Sequence, residues 1–174
     1  MKITSLTNQK VAYWAKLKMK KYRDIEHEFI VESDHLVNEA IKKGIVKEII
    51  TLDDIEYNVP TYTVTPEIMK RLTDLVSIPK IVAVCHYIAP DDIKGNVLML
   101  DRIQDPGNFG TMIRSAVAFG FNTIIASNDT VDIYNSKVIR SSEGMLFKVN
   151  IIKDDLSSMI EILKNKGYKI LGTD

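Results

Sequence analysis

The chain has 174 residues, 45% of them hydrophobic, with 23 basic and 23 acidic side chains, enough apolar material for one large domain or two small ones. No uninterrupted apolar run approaches the roughly 20 residues of a membrane helix, and residues 1–10 lack the apolar core of a signal peptide, so a cytoplasmic protein without a membrane partner is expected. A lone Cys85 excludes an internal disulfide, and His27, His35 and His86 share no metal-ligand spacing with it or with each other; a core thiol, rim histidines and no metal site are expected.

The first acidic residue after the N-terminus is Asp24. Before it, Lys10, Lys16, Lys18, Lys20, Lys21 and Arg23 are interleaved with Tyr13, Trp14 and Tyr22, the mixture in which cations meet phosphate and aromatic rings stack on bases. A plainer reading is an amphipathic helix with Val11, Ala15, Met19 and Tyr22 on one face and Lys16 and Lys20 opposite. Both can hold, and Lys16, Lys18, Lys20, Lys21 and Arg23 are taken as candidate RNA-binding residues.

Apolar strand patterns then alternate with helical ones. Residues 28–33 read as a strand, 34–44 as a helix stopped by Gly44, 46–52 and 60–65 as strands, 66–75 as a helix opened by Pro66, and 80–88 as a buried strand. The stretch 89–96 is polar and carries Pro90 and Gly95, which makes 91–96 the linker candidate between a first domain, 1–90, and a second, 97–174. The second run gives strand 97–101, helix 109–119, strand 122–126, a helix near 135–143, strand 147–152, helix 155–166 and strand 168–171, a βα order that implies a parallel sheet with helices on both faces.

The segment "LDRIQDPGNFGTMIRSAVAFGF" joins the first strand of that sheet to its helix. Gly107 and Gly110 just before a helix suit anion binding through backbone N–H groups. They equally suit a strand-to-helix turn with Asn108 as the cap. The sequence is neither G-x-G-x-x-G nor a P-loop, which argues against a nucleotide-binding oxidoreductase. Arg114 is the one charge on the helix, and its side chain leans back toward the loop. A phosphate there would offset the conflict between this cation and the positive helix end.

This segment resembles the first motif of the SpoU-type (TrmH-like) RNA ribose methyltransferases of the SPOUT class. Residues 5–41 are similar to that family's small ribosomal-protein-like α/β substrate-binding domain, and "VDIYNSKVIRSSEGMLFKV", residues 131–149, to the stretch after motif one. The resemblance implies a knotted α/β methyltransferase domain. It also implies S-adenosylmethionine as cofactor, methylation of a ribose 2′-hydroxyl in tRNA or rRNA, and a homodimer. Asn108 and Arg114 then occupy catalytic positions, while Arg140 and Ser141 occupy the second stretch, as RNA contacts or simply as a helix end. Guanidinium is not deprotonated at ordinary pH, so Arg114 is expected to orient phosphate and stabilise a developing alkoxide rather than act as a base. The family's second and third motifs are expected after a strand such as 168–171 and do not follow it here. A chain truncated before the knot, inactive alone, is therefore expected, with an RNA-binding remnant as the alternative.

Overall fold

Alternate residues of the central strands point into different cores, and this arranges the chain in layers. The computed structural model describes residues 1–172. Its first sheet contains β1 (Lys2–Ile3), β2 (Glu28–Glu32), β3 (Val46–Thr51), β4 (Thr61–Val64) and β5 (Ile81–His86), in the order β1-β4-β3-β5-β2. β1, β4 and β3 run parallel, whereas β5 is antiparallel to both β3 and β2. The second sheet is parallel throughout, β6 (Asn96–Leu100), β7 (Phe121–Ala126) and β8 (Asn150–Lys153) in sequence order.

On one face of the first sheet, Ile30, Ile50, Val82 and Val84 pack against α1 (Gln9–Lys16) and α4 (Pro66–Leu72). On the other, Phe29, Val31, Ala83 and the buried Cys85 meet α3 (Asp34–Lys43), α5 (Pro106–Ala118) and α6 (Ser136–Ser141). The same core continues to Ile124 and Ala126 of β7. Ile125, between them, points the other way onto Met159 and Leu163 of α7 (Leu156–Asn165). The two sheets thus share one apolar layer of helices, and the parallel sheet carries helices on both faces as its βα order implied. Burial holds the Cys85 thiol far above the usual thiol range, and all three histidines are exposed.

Local chemistry sets the helix limits. Thr65 caps α4, with Pro66 in its first turn; Gly44 closes α3 at φ +76°; Asp155 caps α7. The basic segment departs from the single helix expected of it. α1 ends at Lys16 and α2 spans Lys20–Glu26, with Met19 extended between them and 53% exposed. Arg23 explains the break, because its Nη1 donates to Leu17 O (3.0 Å) and Lys18 O (2.8 Å), carbonyls that a continuous helix would engage itself. Leu17 rather than Met19 is therefore buried.

Two further departures lie in the second half. Residues 145–147 form a 3-10 turn that buries Leu146 and Phe147, so β8 starts only at Asn150. Residues 168–171 form no strand. Gly167, at φ +84°, turns the chain after α7, Tyr168 N–H returns to Leu163 O (3.0 Å), and Tyr168 and Ile170 fold onto the α7 core. The last two residues of the ending "KILGTD" lie outside the described residues.

Candidate functional site

β6 delivers the chain to the carboxyl end of the parallel sheet, where ligands of open parallel sheets gather. Arg102, at φ +50°, makes the turn. Residues 103 and 104 then lie along the loop after β7: Ile103 N–H donates to Thr130 Oγ1 (3.3 Å), Val131 N–H to Ile103 O (2.8 Å), and Gln104 Nε2 to Asp129 O (2.7 Å). α5 begins at Pro106, three residues earlier than the glycine pattern suggested. Asp105, not Asn108, is its cap, accepting the Asn108 N–H at 2.7 Å. That bond, with the nearby Lys137 cation, holds the Asp105 carboxyl below the usual carboxylate range.

The two glycines sit within the helix, and they do different things. Gly107 lies in the first turn beneath Lys137, whose Cε would be 3.3 Å from a Cβ added there; Lys137 Nζ reaches Asp105 Oδ2 at 3.5 Å. Gly110 is buried, and a Cβ on it would stand 2.5 Å from Ser141 Cβ and 2.8 Å from Val138 O. Its smallness lets α5 and α6 touch. Its place past the first turn takes its N–H out of the helix end's free donors, which corrects the expectation of a phosphate-binding backbone at Gly110.

Asn108 and Arg114 are both exposed. They stand six residues apart, about 9 Å along the axis, a separation that the backward lean of the arginine shortens. Among the described residues Arg114 has no hydrogen bond or ion pair. Beside α5, Ser141 Oγ donates to Lys137 O (2.7 Å). Arg140 is half-buried, and its Nη1 is buried without a hydrogen-bond partner.

The basic segment is only partly a free surface. Lys16 and Lys21 are exposed, Lys16 lying over the Tyr22 ring (5.4 Å). Lys18 pairs with Asp74 (2.7 Å), and Lys20 pairs with Asp24. Arg23 is 6% exposed and joins Asp132 Oδ2 at 2.5 Å. The structure thus removes it from the RNA surface, because its charge is spent on a buried pair and on the end of α1. Trp14 is fully buried, its indole donating to Glu48 at 2.5 Å, so its ring is not offered to a base; Tyr13 is half-buried and donates to Glu28. Burial and the Glu28 carboxylate push the Tyr13 hydroxyl up to about 12.

Through Arg23 and Asp132, α2 is fastened to the loop that follows β7, so the first sheet's basic helix stands at the carboxyl end of the second sheet. Lys153, at the end of β8, donates to Thr130 O in the same loop, and burial lowers its pKa. Sequence reasoning passed over Asp105, Lys137 and Lys153. The Asp-Pro pair before α5 was a legible cap signal; the two lysines carried no signal, since only the fold brings them near the loop.

Residues 95–174 match the model of the SpoU rRNA Methylase family, and residues 8–83 match an MRM3-like substrate binding domain. The chain is 38% identical over 181 aligned residues to the 23S rRNA (guanosine(2553)-2'-O)-methyltransferase RlmP of Bacillus subtilis (strain 168), covering 98% of this chain and 72% of that protein. The chain belongs to the SpoU rRNA methylase family. It is also 27% identical to the mitochondrial rRNA methyltransferase 3 of Mus musculus, over 79% of this chain and 38% of that one. A solved structure of an AdoMet-bound rRNA methyltransferase from Sinorhizobium meliloti superposes with a TM-score of 0.81 at 26% identity, covering 94% of this chain and 68% of the other.

The fit of S-adenosylmethionine can be judged from the carboxyl ends of β6–β8. Small-molecule sites of this size bury about 70–90% of their ligand. At that end Asp101, Arg102, Gln104, Asp105, Asn108, Thr111 and Arg114 are all exposed. These residues form one open wall and do not enclose the cofactor by themselves.

Proposed function

We propose that this chain serves an enzyme that methylates a ribose 2′-hydroxyl of RNA, with rRNA as substrate and S-adenosylmethionine as methyl donor. The observation that carries the reading is Arg114, an exposed guanidinium without a partner among the described residues, on the helix that leaves the carboxyl end of the parallel sheet. Arg114 binds the phosphate next to the target ribose and donates hydrogen bonds to the 2′-oxygen as it acquires charge. Asn108 orients that hydroxyl from the first turn. Arg140 and Ser141 line the neighbouring helix, and the Gly107 backbone lets the RNA approach. Lys16, Lys18, Lys20 and Lys21 hold RNA electrostatically at the same end of the molecule.

In this reading residues 1–90 bind substrate, 91–96 connect, and 97–174 begin the methyltransferase domain of a cytoplasmic homodimer. The test compares methyl transfer by the parent protein and by its Arg114→Ala variant. Arg114→Ala lowers methyl transfer from radiolabelled S-adenosylmethionine to unmodified rRNA by about 10²–10³-fold, the scale of losing one charge-stabilising donor. Unchanged turnover would refute the assignment.

The open wall at residues 101–114 favours a second reading for residues 1–174 alone, RNA binding without turnover. Calorimetric titration of this chain with S-adenosylmethionine then gives no saturable heat, while RNA is still retained. One-to-one binding in the micromolar range would reject it.

A further inference from the structure

Four non-glycine residues among those described have positive φ: His27, Ser33, Arg102 and Glu143. L residues other than asparagine and aspartate adopt this region reluctantly, because Cβ crowds the following carbonyl. Three of the four lie at helix boundaries. His27 closes α2, Ser33 precedes α3, and Glu143 follows the last turn of α6. Arg102 borders no helix.

The fold needs the turn but not the side chain. Arg102 N–H donates to Ser127 Oγ (2.7 Å), and the next two residues are held against the loop after β7. At position 102 only the backbone takes part, and asparagine would satisfy it with less strain. The Arg102 side chain is 72% exposed. Its partner is the adjacent Asp101, Nε to Oδ2 at 3.1 Å, itself 53% exposed. Such solvent-screened pairs contribute little. The chain therefore keeps a long, permanently charged fork at a strained position, at the carboxyl end of β6 and three residues before the cap of α5. Strain that the fold does not require is a mark of ligand-binding segments.

We infer that Arg102 is a further substrate-binding residue, one that takes a phosphate of the RNA strand carrying the target ribose. This rests on the proposed function and adds a second arginine to its site. A guanidinium matches phosphate with two parallel hydrogen bonds; Asp101 holds the fork in the free protein and gives it up to the RNA.

The experiment compares the 174-residue chain with Arg102→Asn and Arg102→Lys. The probe is a fluorescein-labelled stem–loop RNA titrated over a range of KCl concentrations, and thermal melts are run in parallel. Arg102→Asn raises Tm by about 2–4 °C, the shift that about 1 kcal/mol of relieved strain gives a chain of this size. The same variant flattens the log–log salt dependence of RNA binding by about 0.7–0.9, the signature of one lost phosphate contact. Arg102→Lys leaves both near those of the parent. Parental affinity and salt slope in Arg102→Asn would overturn the inference, and so would a lowered Tm, which would assign the guanidinium to the fold. Failure of the parent itself to bind the RNA would instead overturn the proposed function on which the inference rests.

Discussion

Arg23 and Arg114 are both helical arginines, yet their surroundings give them opposite work. Arg23 lies against Asp132 at the junction of the two sheets, with side chains only 7% and 14% exposed. Removing one partner leaves the other charge without compensation in a poorly solvated place, so Asp132→Ala is expected to cost about 3–5 kcal/mol, read as a lowered urea midpoint. Arg114→Ala, at an exposed position, should stay within about 0.5 kcal/mol of the parent by the same measurement. The sequence could set Arg114 apart, because it is the one charge on an otherwise uncharged helix. It could not set Arg23 apart from the lysines before it, because its partner lies 109 residues away. The role of Gly110 is hidden from the sequence for a similar reason: its neighbours Val138 and Ser141 belong to another helix. Gly110→Ala should overpack the α5–α6 contact and cost about 1–3 kcal/mol, and Ser141→Gly should recover only part of this, since Val138 O remains in the way.

At the scale of elements, the strands and most helices were legible because alternation and capping residues are local. What escaped was decided by tertiary contacts: the break between α1 and α2, made by Arg23 reaching back, and the missing strand at 168–171, a segment that packs Tyr168 and Ile170 beside α7 but pairs with no strand among the described residues. The break also redistributes the basic surface. Lys18 and Lys20 are already paired, so Lys16→Glu/Lys21→Glu should flatten the salt dependence of RNA binding most, by about 0.7–0.9 per lost contact; an unchanged slope would remove α1 and α2 from the interface. α3 is fastened to the second half by Glu39, which meets Lys42 (2.7 Å) and Lys148 (2.9 Å). Hydrogen bonds from these lysines, Lys42 foremost, lower the Glu39 pKa from 4.5 to about 2. A depressed carboxylate stabilises the fold above its ordinary pKa, and that contribution disappears as pH falls through the folded value. The stability difference between the parent and Glu39→Gln should therefore be constant near neutrality and shrink between about pH 4.5 and 2, measured by denaturation at successive pH values.

For the molecule as a whole, the sequence separates two runs of strands and helices but does not show that α3, α5 and α6 lie in one layer between their sheets. Each helix's apolar face is visible locally; its partner is not. A shared core implies shared stability, so calorimetric and van't Hoff enthalpies of unfolding should agree within a single transition. Two resolved transitions would mean that the common layer couples the halves weakly.

The placement of the aromatic rings makes this coupling visible to light. Trp14, the chain's single tryptophan, is fully buried 5.4 Å from Tyr62 in the outer core of the first sheet, and its emission reports on that region alone. Phe29, Tyr134 and Tyr87 stack at 4.4 and 4.1 Å where the two halves meet, an asymmetric chromophore whose near-ultraviolet circular dichroism vanishes when the junction opens. Fluorescence and dichroism thus watch two different places in the unlabelled protein, and the interval between their midpoints measures how far one half can loosen before the other follows.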